Sequence, residues 1–210
     1  MSQLKTEPTN RSDALRAIFG PAAREASTAM HRWSAGRVTL SLDDVCETSL
    51  EQLQPELQVG DDLMTLIVLT MGGELGGQLI LAFTEVAGRQ MCEALIGPTG
   101  NGPGWSELEK SGLMETGNIL ACAYVNALTH SVKRRLIPGP PQFIEDFGSC
   151  VLEQALMAQA MSGDDVLVCR TSFRYGNETL QWSMFFVPDA SLRQALDEAV
   201  NNYQHMNVVE

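Results

Sequence analysis

The chain is short of several things, and each shortage narrows what it can be. No run of about 18 apolar residues occurs, so nothing reads as a membrane-spanning helix. The start, Met1-Ser-Gln-Leu-Lys-Thr-Glu-Pro8, is polar and lacks the apolar core of a secretory leader. Cysteine is sparse: Cys46, Cys92, Cys122, Cys150 and Cys169 are an odd number, scattered, with no Cys-x-x-Cys pair. Such thiols read as reduced and mostly buried, which points to a cytoplasmic protein. His31, His130 and His205 form no ligand-like cluster, so no metal site is expected. Basic residues are few, 14 against 26 acidic, for a net charge of −12. That balance argues against nucleic acid as a partner, because phosphate contacts need Lys and Arg. The one basic cluster, Lys133-Arg134-Arg135, reads as the cationic end of a helix, favoured by its dipole.

What is present is apolar sequence in regular patterns. Apolar residues make up 44% of 210, enough for one sizeable core or two small ones. Residues 1–10 are polar and expected to be flexible. Ser12-Asp13 looks like an N-cap, and a helix should follow to about Trp33, kinked or broken at Pro21. Arg37–Leu42 alternates as a strand, and Asp44–Leu57 reads as mixed with one or two helical turns. Leu63–Thr70, Gly72–Gly76 and Gly77–Phe83 make a hairpin. An amphipathic helix follows over Glu85–Ile96, with Val86, Met91 and Leu95 on its buried side.

Gly97–Gly104 is a linker, and beyond it the pattern starts again. A long helix from Trp105 to Arg135 leads to Pro138-Gly-Pro-Pro141 and a strand at Gln142–Phe147. Ser149–Met161 reads as a helix, and Val166–Phe173 and Leu180–Val187 as a second hairpin around Tyr175–Glu178. A last helix runs from Pro188-Asp189-Ala190 to about Tyr203. Gly60-Asp-Asp62 before one hairpin recurs as Gly163-Asp-Asp165 before the other. The first repeat is therefore about 11–97, the linker 98–104 and the second repeat about 105–203. We expect a single pseudo-twofold α+β domain over 1–210: one mostly antiparallel sheet, with the two long helices side by side on one face.

The informative stretch is Ser111 to Thr129. At about 100° per residue, Ser111, Glu115 and Asn118 share one narrow face. Leu113, Gly117, Leu120, Ala121, Tyr124 and Leu128 share roughly the opposite one. Three polar residues on a helix face are most often just a solvated surface. Gly112 and Gly117 argue otherwise, because each costs a helix roughly 1 kcal/mol relative to Ala. Beside Glu115 and Asn118 they would let another protein's backbone come close. Asn126 reads as a polar contact between packed helices, and Trp105 as a hydrophobic staple.

The spacing Ser111-x3-Glu115-x2-Asn118-x22-Pro141 resembles the signature of the CheC/CheX/FliY chemotaxis phosphatases, and Glu115–Leu128 looks like the CheC form of that helix. The resemblance covers nearly the whole chain, since both halves follow the CheC element order. It implies a phosphatase acting on the aspartyl phosphate of a CheY-type response regulator, which brings its own Mg²⁺. On that pattern Asn118 orients the attacking water and Glu115 pairs with the regulator's phosphate-binding lysine. Ser111 supports the first turn of this face, and Pro141 shapes the loop bounding it. Aligning the first repeat puts Asp13 in the first position, Ala17 where Glu is expected, Gly20 where Asn is expected and Asp43 where Pro is expected. We expect one working site and one degenerate one. The alternatives are a non-catalytic module for the receptor deamidase CheD, and one that binds a phosphorylated receiver without hydrolysing it. A flagellar-switch role like that of FliY is disfavoured, since no switch-type domain follows residue 203.

Overall fold

A computed structural model describes residues 11–49, 63–98, 102, 104–147, 150 and 165–208. The expected Ser149–Met161 helix, the Asp-Asp repeat at 60–62 and 163–164, the first ten residues and much of the linker lie outside that set. The chain runs α1 (Arg11–Trp33), β1 (Val38–Ser49), β2 (Leu63–Gly73), β3 (Gly77–Thr84) and α2 (Glu85–Ile96). It continues with α3 (Glu107–Val132), β4 (Leu136–Pro138), β5 (Gln142–Phe147), β6 (Asp165–Tyr175), β7 (Glu178–Pro188) and α4 (Ala190–Val208).

All seven strands form one antiparallel sheet in the order β1-β6-β7-β3-β2-β4, with β5 also on β2. The two hairpins, β2–β3 and β6–β7, join through β3 and β7 at the centre. Each half then lends its first long strand to the other half's hairpin. β1 pairs with β6, and β5 pairs with β2. β1 is twice the expected length: Asp44–Ser49, the start of the stretch expected to be mixed, continues the strand, and the rest of that stretch, 50–57, lies outside the described residues. The register slips between Leu42 and Asp44, leaving Asp43 as a bulge. Its carboxylate accepts hydrogen bonds from the Ser41 and Ser172 hydroxyls.

The long helices α1 and α3 pack together over one sheet face. Phe19 of α1, Tyr124 of α3 and Phe186 of β7 meet there, with ring centroids 5.2–6.4 Å apart. α1 runs through Pro21 as one helix, so of the kink or break expected there the break does not occur. Proline removes one backbone bond, but Leu15, Ile18, Phe19, Ala22, Ala23, Ala26 and Met30 are buried on either side and anchor both parts in the core. In α2, Met91 is buried, but Val86 is 68% exposed, against expectation. The burial stripe there runs through Ala87, Gly88, Met91 and Cys92, because Trp105 and Phe83 cover that side.

Gly117 packs inward, not toward a partner. A Cβ there would sit 2.5 Å from Ile67 Cγ2 on β2, so the missing side chain lets α3 lie close on the sheet. Gly117→Ala should therefore destabilise the protein. Overpacking costs about 1–3 kcal/mol, more than the roughly 1 kcal/mol gained in helix propensity. Urea unfolding should show a lower midpoint at unchanged slope, and trimming Ile67 to Ala in the same chain should recover part of it.

Candidate functional site

The site begins with how α3 is started. Ser106 is the N-cap, and its side chain accepts from the Glu109 N–H while Glu109 Oε2 accepts from the Ser106 N–H at 2.8 Å. The signal for this reciprocal capping box is Ser106-x-x-Glu109 before an apolar run. Glu109 is only 3% exposed, and Arg89 of α2 donates to it at 2.6 Å. Burial alone would raise the Glu109 carboxyl, but the Ser106 and Arg89 donors outweigh it and hold it at about 2. Arg89 also donates to Glu85 and to the Gly104 carbonyl, and lies 4.4 Å over the Trp105 ring.

Trp105 is buried against Gly88 and meets Phe143 of β5 edge-on at 6.0 Å. The staple expected of it thus closes on α2 and β5 rather than on the helix's own next turn. Gly88 is needed for this, because a Cβ there would fall 2.6 Å from the indole. The start of α3 is therefore clamped on three sides, by the linker, α2 and β5.

From that anchor the helix phase is fixed. Leu113, Gly117, Leu120, Ala121, Tyr124 and Leu128 are all buried, as their spacing predicts. Ser111 and Glu115 are exposed, and Asn118 is half-buried. A carboxylate and an amide thus stand one turn apart on an outward strip of a helix whose opposite side is set in the core. Two further residues share the strip. Leu108, three residues before Ser111, is 65% exposed. Cys122, four residues after Asn118, places its Sγ 3.8 Å from Asn118 Oδ1. The 100° rule would have found both. Pro141 precedes β5, whose Phe143 lies 5.9 Å beneath the Lys110 ammonium, so its loop belongs to the same end of the helix.

Other expectations shift. Asn126 is exposed and not a contact between packed helices. α3 ends at Val132, with Lys133 as a left-handed cap at φ 54°, so the basic cluster lies just beyond the helix. Arg134 there pairs with Glu198 at 3.5 Å, and the Arg135 N–H donates to Glu74 Oε2 at 3.2 Å while its carbonyl accepts from the Glu74 N–H at 3.0 Å.

The first half presents a different surface. Asp13 is exposed, and Ala17 and Gly20 are half-buried on α1. Neither Ala17 nor Gly20 carries a group that can donate, accept or hold charge. Between α1 and β1 lies an open groove of about 580 Å³, lined by Arg16, Gly20, Arg24, Ser27, Asp43 and Asp44 among others. Arg16 is paired with Asp44 at 2.6 Å. Among the described residues no three His, Cys, Asp or Glu side chains gather in a group that could hold a metal ion, and no helix is long and apolar enough to cross a membrane.

Solved structures share this fold. Thermotoga maritima FliY superposes with a TM-score of 0.69 over 96% of this chain and 99% of that one, at 13% identity. CheX in the CheX–CheY–BeF3–Mg2+ complex from Borrelia burgdorferi superposes at 0.50 over 82% of this chain and 97% of that one, at 15% identity. In sequence, the CheY-P phosphatase CheC of Bacillus subtilis is 26% identical over 182 residues, which is 84% of this chain and 87% of CheC. No family model matches. The chain is thus similar to CheC in sequence and shares the fold of FliY and CheX.

Proposed function

We propose that the chain hydrolyses the aspartyl phosphate of a CheY-type response regulator, using the outward strip of α3 as its one working site. The observation that carries this is the exposed carboxylate and half-buried amide, one turn apart, on a helix whose other face is locked into the sheet. The similarity to a CheY-P phosphatase supports the reaction, and the CheX–CheY complex supports the kind of partner.

In this reading Asn118 reaches into the regulator's acyl-phosphate pocket. Its amide holds a water in line with phosphorus. The water oxygen forms the new P–O bond as the bond to the aspartyl oxygen breaks, releasing the regulator's carboxylate and inorganic phosphate. No strong base is needed, because an acyl phosphate already has a good leaving group, and phosphoryl transfer gains mainly from positioning and charge stabilisation. Glu115 pairs with the regulator's lysine and sets the docking. Ser111 and the Pro141 loop bound the contact. The regulator supplies Mg²⁺.

The test is to mix the protein with a phosphorylated CheY-type receiver and Mg²⁺ and follow loss of phosphate. Acceleration that vanishes in both Glu115→Ala and Asn118→Ala supports the reading; full activity in both overturns it. The first half should contribute nothing to the rate. Asp13→Ala and Gly20→Ala, on the half that lacks the Glu and Asn, should leave turnover within about twofold of the parent, as surface changes away from a site do.

A further inference from the structure

We propose that Cys122 is a positioning residue for Asn118: its S–H donates to the Asn118 carboxamide oxygen and fixes the plane in which the amide meets the attacking water. This rests on the phosphatase reading above.

Cys122 sits one turn beyond Asn118 on α3, half-buried, with Sγ 3.8 Å from Oδ1. The terminal torsion of an asparagine is broad, so an amide at the edge of solvent turns freely unless something holds it. Burial, and after it the nearby Glu115 charge, push the Cys122 thiol up. It therefore keeps its proton at neutral pH and can act as the donor. A carboxamide oxygen has two lone pairs. One is taken by the thiol, which leaves the other, and both amide hydrogens, for water and a phosphoryl oxygen. Water reorientation is the work asked of Asn118, so restricting its carboxamide acts on turnover and not on docking.

The internal repeat supports the pairing. The position matching Asn118 is Gly20, and the position matching Cys122 is Arg24. The Arg24 guanidinium lies beside that position, its Nη1 3.6 Å from where a Gly20 Cβ would be. Where the amide is gone, the small donor one turn on is gone too. The other buried thiols are engaged elsewhere: Cys92 faces the Glu109 carbonyl and Cys169 is enclosed in the sheet core.

The experiment compares Cys122→Ala, Cys122→Val and Cys122→Ser on a phosphorylated CheY-type receiver with Mg²⁺, measuring kcat and KM separately. Ala and Val remove the donor, and should lower kcat about threefold to tenfold, the worth of one weak hydrogen bond, with KM unchanged. Ser restores a donor and should recover at least half of the loss. In parallel, the side-chain NH2 resonance of Asn118, identified by its absence in Asn118→Ala, should move in the Ala and Val variants. Parent-like kcat in Cys122→Ala alongside an inactive Asn118→Ala overturns the positioning role while leaving the phosphatase reading intact. Equal loss in Val and Ser, or an unmoved resonance, also overturns it, since packing would then be the whole effect. Full activity in Asn118→Ala fells the phosphatase reading and this role with it.

Discussion

Asn118→Ala should lose about two orders of magnitude or more in turnover on a phosphorylated receiver while its KM changes little, the pattern of a group that acts only in the transition state. Glu115→Ala should fail differently. Its assigned partner is a lysine at the docking contact, so its loss should fall first on KM. Asn118→Asp is a sharper probe than Ala. It keeps the shape but replaces the amide hydrogens with a negative charge facing a phosphoryl group, and should be no better than Ala. Neither site residue supports the fold: Glu115 is exposed and Asn118 is half-buried on the outer strip of α3. Thermal unfolding should therefore be near that of the parent in each variant. Stopped assays of phosphate release, with receiver concentration varied, separate the two cases. An Asn118 variant that raises KM and spares kcat would mean that the amide docks and does not catalyse.

The second large effect should come from Glu109, which touches no partner. Ser106 and Arg89 hold its carboxyl at about 2, against an ordinary value of 4.5. A carboxyl held low in the folded state stabilises it when ionised. The contribution is complete above about 4.5, shrinks as the pH falls toward 2, and is gone below that. A shift of this size corresponds to roughly 3 kcal/mol. Glu109→Ala should therefore lower stability by about 3 kcal/mol at pH 7, within the range for breaking a buried ion pair. Arg89 keeps Glu85 and the Gly104 carbonyl, so the cation is not stranded. The gap between variant and parent should close steadily between pH 4.5 and 2, read from urea midpoints. Glu107→Ala is the control: Glu107 is 92% exposed in its pair with Lys110, and surface pairs of this kind contribute about 0–1 kcal/mol.

Much of this arrangement was readable from the chain, and the reasons differ by element. The α3 strip was readable because a helix imposes its phase on every residue it contains. One apolar stripe, once identified, fixes where Ser111, Glu115 and Asn118 must point. The hairpins were readable because β-rich runs flank clusters of turn residues at Gly72–Gly76 and Tyr175–Glu178. The second half of β1 was not. Asp43, Asp44 and Glu47 are poor advertisements for a strand, and what pairs this stretch is β6, far away in sequence. Gly117 was misread for a related reason. A glycine states that space is needed, not who needs it, and the claimant is Ile67 on another element. The clamp on α3 was half visible. Ser106-x-x-Glu109 is a local signal, but Arg89, which makes it strong, arrives from 20 residues upstream.

The exchange of first strands between the halves bears on how the molecule is made. β1 leaves the ribosome early, yet Asp44 lies 126 residues ahead of Arg170, its neighbour on β6. At about 5–20 residues per second, about 6 to 25 seconds of synthesis separate a strand from its mate. During that interval the amino-terminal half carries an open edge with backbone donors and acceptors unspent. The β1–β6 ladder can close only once the carboxyl-terminal hairpin is made, and long-range pairing of that kind makes for slow folding.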